Sequence, residues 1–405
     1  METPPLNRRR WLQLLASTPV LTACDPAPDP ERYSQADRAQ LLQQQANELA
    51  QSGTGPFGST VFTGYRGLAE LPWFELDNAG QLTCVDDSFA HAIDMHCHLG
   101  MSILFEPELD LQRLHPRTRH LLDCDATQPG CRLDLDVYIN ANFTEGDLHQ
   151  LQRDLRSQAF FGSDVIATHT IANLLQEMDA MRVDQAVLLP IAFGLWFGDR
   201  QTELWRDAVG THGTDRLING FSVSPRADDP VAELEAAFTN GGRIMKLHPT
   251  VQRFYPDDPT LDRLYARAQE LGVVVFFHGG RAGIEPESSQ PFALPRHYEA
   301  TFKRFPQLQC VIGHGGARDS DAMLALALRY PNVWLGTHGQ GVTQLYKMIK
   351  ATGGRQMLFG SDWPFYHIGA SLAKILIVTE SADTRLLRDN LLRQNALDLL
   401  ASLAA

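Results

Sequence analysis

The chain has 405 residues, room for one large domain with extensions or for two ordinary ones, and 44% of them are apolar, so a substantial core is within reach. Formal net charge is −13; residues 1–23 set Glu2 against Arg8, Arg9 and Arg10, a balance of +2, which leaves the remainder at −15. An acidic body of this kind excludes nucleic acid and anionic headgroups as the main partner, since both reward a basic face.

Residues 1–24 read as a targeting segment, because three arginines precede an apolar stretch that is shorter than the ~20 residues needed to span a bilayer. Arg8 and Arg9 followed by Trp11 and Leu12 resemble a twin-arginine export signal, and Leu21, Thr22, Ala23 and Cys24 resemble a bacterial lipoprotein cleavage box. That resemblance implies a chain lipidated on Cys24, and Asp25 resembles the residue that retains such proteins on the periplasmic side of the inner membrane. Residues 25–90 read as a polar, Gln-rich spacer and extension, with an amphipathic helix at 40–50.

From residue 91 to 402 the pattern changes. Apolar runs at 92–98, 185–191, 217–223, 243–248, 273–278, 309–314, 332–338 and 357–362 alternate with stretches of helical period. Ile171, Leu174, Leu175 and Met178 repeat at one such spacing, and Leu261, Leu264, Tyr265, Ala268 and Leu271 at another. Eight strands with intervening helices predict an α/β fold, the TIM (β/α)8 barrel, whose chemistry gathers at the C-terminal strand ends. Residues 100–169 interrupt the rhythm, and a loop of that length predicts an inserted helical subdomain that covers the site. A helical segment at 384–400 is expected on the barrel exterior or bottom.

Residues of metal-binding type stand at those strand ends, in DMHCHLG, FFHGG, IGHGG and FGSDWP. Alternation along a strand turns His96 and His98 to one face and Cys97 to the other. His278 supplies a third ligand from across the rim, and Asp362 completes the set while a free oxygen acts as general base. His314 is expected to orient the substrate or to act as an acid or base. Lys246 and His248 share a face of the fourth strand and are candidates for the substrate or for bridging. Arg281 is a candidate anchor for an anionic substrate. Arg253 is a second such candidate, with solvated loop charge the competing and preferred reading for both arginines; His338 reads as a rim histidine without assignment, and Tyr366 and His367 are undecided.

These segments resemble the amidohydrolase superfamily, specifically its amidohydrolase-related group of metal-dependent TIM-barrel hydrolases and decarboxylases. The resemblance covers residues 93–401 and includes Asn395 and Ala396, similar to the family's closing motif. It implies that His96, His98, His278 and Asp362 bind a divalent ion, most readily zinc, that Asp362 also serves as base, and that His314 moves protons. A second ion is implied only if Lys246 is carbamylated, and KLHP is more typical of relatives with one metal.

The resulting expectation is a hydrolase that uses metal-activated water on an amide, ester or lactone carbonyl of a small molecule. The alternative is non-oxidative decarboxylation of an unsaturated or aromatic acid at the same site. A membrane-tethered metal or solute receptor without activity ranks last. Self-association is left open. Five cysteines remain beside Cys24, so not all can pair; Cys124 and Cys131 flank a turn that a disulfide can close.

Overall fold

A computed structural model describes residues 27–101, 109–124, 131–161, 163–194 and 200–403. The export segment with Cys24 and parts of the insert lie outside these residues.

Eight parallel strands build the barrel: β1 (Ala92–Cys97), β2 (Val183–Leu188), β3 (Leu217–Asn219, resuming at Phe221–Ser222), β4 (Ile244–Leu247), β5 (Val274–Phe277), β6 (Cys310–Ile312), β7 (Val333–Gly336) and β8 (Met357–Leu358). The first half of β3 pairs with β2, the second half with β4. Gly220 makes that transfer, since a Cβ there would lie 2.6 Å from the Leu188 carbonyl oxygen. β1 and the chain beyond β8 close the ring through Met95 N–H to Phe359 O (2.9 Å), Asp362 N–H to His96 O (2.8 Å) and His98 N–H to Trp363 O (2.6 Å). The strands are almost wholly buried because helices cover the outside and side chains fill the inside.

Each strand stops short of its predicted C-terminal end; His96 and Lys246 lie in the last positions of β1 and β4, while His98, His278, His314, His338 and Asp362 stand just past the ladder. Asp362 (φ 64°) and His314 (φ 56°) adopt left-handed backbone, which a ladder does not accommodate. Within β1 the register to β2 shifts between Asp94 and Cys97. Ile93 and Met95 therefore pack in the barrel interior, Cys97 packs outside it, and His96 and His98 face the site above. A local irregularity of this kind re-aims side chains.

The inner core of Ile93, Met95, Val187, Ile244, Phe276 and Leu358 is stoppered below by Ala396 and Leu399 of the closing helix Asn395–Ala401. The predicted helices on the outside are present as Ile171–Ala180 and Asp262–Glu270, with Ile171, Leu174, Met178, Leu264, Tyr265 and Ala268 buried.

Two expectations need correction. The described part of the 25–53 segment, residues 27–53, is not a spacer. Their helix, Gln35–Gln51, starts at a Ser34–Asp37 capping box. The segment straps onto loops at the C-terminal end of the barrel: Arg32 grips Asp257 at 3.0 and 3.2 Å, Asp37 accepts from Arg296 at 2.7 and 3.0 Å, and Glu48 accepts from Arg318 at 3.1 Å. Nor is the insert simply helical. Among its described residues, Arg132–Asp134 is a strand paired antiparallel with Val61–Thr63, and Glu145–Phe161 is a helix. It does reach the mouth, where Ile139 N–H donates to Gly339 O at 2.8 Å. Cys124 and Cys131 form a disulfide, with Cα atoms 5.5 Å apart.

Candidate metal centre

Five strands or their ends bring nitrogen and carboxylate groups to one point at the C-terminal mouth. His96 and His98 follow from β1, and their Nε2 atoms lie 3.2 Å apart. Asp362, beyond β8, places Oδ1 3.2 Å from His98 Nε2 and 3.5 Å from His96 Nε2. Lys246 of β4 brings Nζ to 3.2 Å from His96 Nε2. On the far side, one ligand atom from each of His96, His314, His338 and Asp362 falls within 4.8 Å of the others. His96 and Asp362 thus belong to both groupings.

Close approach depends on glycine. A Cβ on Gly280 would sit 1.9 Å from the Gly316 carbonyl oxygen, so FFHGG and IGHGG need glycine for the loops after β5 and β6 to meet. The His278 and His314 rings then come to 4.5 Å. His278 also stacks on His248 at 4.0 Å.

The electrostatics favour lone pairs over charge. Burial, reinforced by Lys246, holds His96 well below the ordinary imidazole value. Burial first, and the neighbouring imidazoles and Lys246 second, does the same to His314, His338 and His248, and pushes His278 down to about 3. Burial pushes Lys246 down to about 7. Such imidazoles are neutral at pH 7 and present nitrogens able to coordinate. His98 Nδ1 lies 2.8 Å from Leu189 O, so it carries the proton and leaves Nε2 free for the centre. Buried nitrogens without a protein partner include His96 Nδ1, His278 Nε2, His314 Nδ1 and His338 Nδ1. Crowded neutral imidazoles beside one carboxylate, several with unsatisfied nitrogens, fit a divalent cation.

His278 stands beside the close group, against His314, and not within it. His338 is the residue that sequence reasoning misses: its Nε2 accepts from His314 N–H at 3.1 Å, and its ring lies 4.2 Å from those of His96 and His314. Its place at a predicted strand end is the available signal. Arg281 is a correction. It is fully buried, its guanidinium binds Asp319 at 2.6 and 2.8 Å and the Asp37 carbonyl at 2.6 Å, and it serves the fold. Glu177, which no motif marks, holds Trp363 beside Asp362: its carboxylate accepts from Trp363 Nε1 at 3.1 Å and from Ile368 N–H at 2.8 Å.

Sequence comparison decides the family. A profile described as amidohydrolase matches residues 93–401. The chain belongs to the amidohydrolase family. No curated protein gives a significant match. Solved structures share the TIM-barrel fold at low identity. An uncharacterised TIM-barrel protein from Bordetella bronchiseptica is 19% identical, covering 78% of this chain and 99% of that one, with a TM-score of 0.54. A 2,6-dihydroxybenzoate decarboxylase from Rhizobium is 15% identical over 77% and 99%, with a TM-score of 0.51. A 5-carboxyvanillate decarboxylase from Novosphingobium aromaticivorans, complexed with manganese and a nitrobenzoic acid, is 14% identical over 79% and 98%, with a TM-score of 0.52.

Asp94 ties the two sides of the centre together, because its Oδ1 accepts from the backbone N–H of His96 and of Ser361, each at 3.0 Å. Asp94→Ala leaves two buried donors unpaired, at about 1–3 kcal/mol each. Metal affinity is expected to fall about 10–100-fold, as for other groups that position ligands. Titration with a competing chelator checks this; unchanged affinity refutes the positioning role.

Proposed function

We propose that this amidohydrolase-family chain is a metal-dependent hydrolase acting on an amide, ester or lactone carbonyl of a small molecule. The convergence of His96, His98 and Asp362 within 3.5 Å of one another, inside a buried and imidazole-rich mouth, carries the reading. These three residues hold one divalent ion, with His278, His314 and His338 adjoining. A nitrogen-rich donor set favours zinc, while the manganese in the carboxyvanillate decarboxylase makes that ion the first alternative. When bound, the ion polarises a carbonyl and lowers the pKa of water toward ~7.

The chain's own residues supply the rest. Asp362 takes the proton from the attacking water and returns it to the leaving group. His314, whose Nδ1 lies 3.9 Å from Asp362 Oδ2, orients the substrate oxygen. Lys246 keeps its free amine and places a donor beside His96, which orients an anionic or carbonyl group of the substrate.

A second reading, decarboxylation of an unsaturated or aromatic acid, is favoured by aromatic rings beside the centre. Phe276 lies 5.0 Å from His96, and Phe365 and Trp205 lie 6.0 and 6.5 Å from His98. The decarboxylases that share this fold make the same chemistry worth testing.

Metal analysis of the chain lacking residues 1–24 is expected to find about one zinc per chain. Turnover of lactones, amides and aromatic acids in 18O-water then separates the readings. Label in the product carboxylate supports hydrolysis, and carbon dioxide release with an unlabelled organic product supports decarboxylation. Metal-loaded protein inert on every class overturns both.

A further inference from the structure

The strap helix Gln35–Gln51 buries one apolar side chain, Leu41, and leaves its other apolar residues exposed. Its inner side makes polar contacts: Asp37 pairs with Arg296, and Glu48 with Arg318. Its outer side carries Ala39, Leu42, Ala46 and Leu49, all exposed, at the 3, 4, 3 spacing of a single helical stripe. Leu42 is 66% and Leu49 62% exposed. Between Ala39 and Gln51 the one charged residue is Glu48, and it faces inward. A charge-free apolar stripe on a chain of net charge −13 asks for a partner.

The route of the chain says which partner. The strap contacts only the C-terminal side of the barrel in the interactions described above, and its outermost described anchor is Asp29, whose N–H donates to Tyr255 Oη on the loop after β4 at 3.0 Å. Cys24, the residue in the lipoprotein-type box, precedes Asp29 by five positions. At ~3.3–3.6 Å per extended residue, that length holds Asp29, where the strap begins, within roughly 18 Å of any lipid on Cys24.

We propose that Cys24 is lipidated on the periplasmic side of the inner membrane and that the stripe of Ala39, Leu42, Ala46 and Leu49 rests on the bilayer surface, so that the mouth of the barrel faces the membrane. A lipid chain adds affinity but no orientation, and stable anchoring takes a second contact, which the stripe provides. The stripe itself carries no charge, and the exposed Glu287 that flanks it is paired with Arg38 at 2.6 Å, which eases the conflict between an acidic body and an anionic surface. The site is then presented to substrates that partition to the membrane surface. This orientation does not rest on which reaction the centre performs.

The test uses full-length protein, processed in a bacterial host and reconstituted in vesicles of three parts phosphatidylethanolamine to one part phosphatidylglycerol. In a Cys84→Ser background, an environment-sensitive fluorophore is attached through Ala46→Cys on the stripe or through Asp398→Cys on the closing helix at the barrel bottom. Spin-labelled lipids are expected to quench the stripe probe at least threefold more than the bottom probe. Leu42→Glu with Leu49→Glu is expected to abolish that difference while the protein stays membrane-bound through Cys24. Equal quenching at both probes, or quenching that survives the glutamates, overturns the proposal. So does an N-terminal peptide whose mass shows no lipid on Cys24. A shift of the stripe probe that rises with protein concentration without vesicles makes a second copy of the chain the occupant, and equally overturns it.

Discussion

Asp362→Asn is expected to lower kcat about 10²–10⁴-fold, the range associated with losing a positioned general acid or base. The amide keeps the shape of the side chain but removes the charge and one proton-accepting oxygen. The effect is separable from loss of metal. Asp362 Oδ1 approaches His96 and His98, while Oδ2 is the oxygen directed toward His314. Zinc content and kcat, measured on the same sample, distinguish the two roles. Retained metal with lost turnover supports Asp362 as the base, and loss of both makes it chiefly a ligand. Turnover within threefold of the parent protein removes it from the chemistry. The companion variant, His96→Ala with His98→Ala, is expected to lose metal and activity together.

The second large effect concerns stability. Arg281 and Asp319 lie in the core, with side chains 0% and 1% exposed, and meet at 2.6 Å. Arg281→Met leaves the Asp319 carboxylate buried without its counter-charge, and removal of one partner from such a pair costs about 3–5 kcal/mol. The strap loses an anchor as well, because Arg281 also donates to the Asp37 carbonyl. Urea unfolding followed by tryptophan fluorescence checks the figure. Arg281→Met combined with Asp319→Leu is expected to recover most of the loss, since no isolated charge remains. A single variant as stable as the parent chain defeats this account.

The barrel is legible because its strands are short apolar runs between helical periods, and all eight fall within a few residues of their predicted positions. Their ends are not, because the residues that carry chemistry leave the ladder in left-handed backbone at His314 and Asp362, which composition does not signal. Alternation places His96 and His98 on one side. It gives no warning of the register shift that keeps Ile93 and Met95 in the interior below them. His338 escapes notice although it ends a predicted strand, because a lone histidine there is ordinarily a rim residue. Arg281 misleads for the opposite reason: a cation just past a candidate ligand suggests substrate, and its real partner, Asp319, is 38 residues away. The strap resembles a spacer because, Leu41 apart, its apolar residues are exposed and its inward polar contacts are ion pairs with distant loops, which local periodicity does not reveal.

That strap has a practical consequence for anyone trimming the protein to its profile-matched portion. A polypeptide begun at residue 93 forfeits the partners of Asp257, Arg296 and Arg318, together with Val61–Thr63, which pairs with the insert. It also uncovers the helix Ile368–Val378, buried at every position and packed against residues 65–70. Aggregation of such a truncated version would reflect missing cover and would say nothing about catalysis.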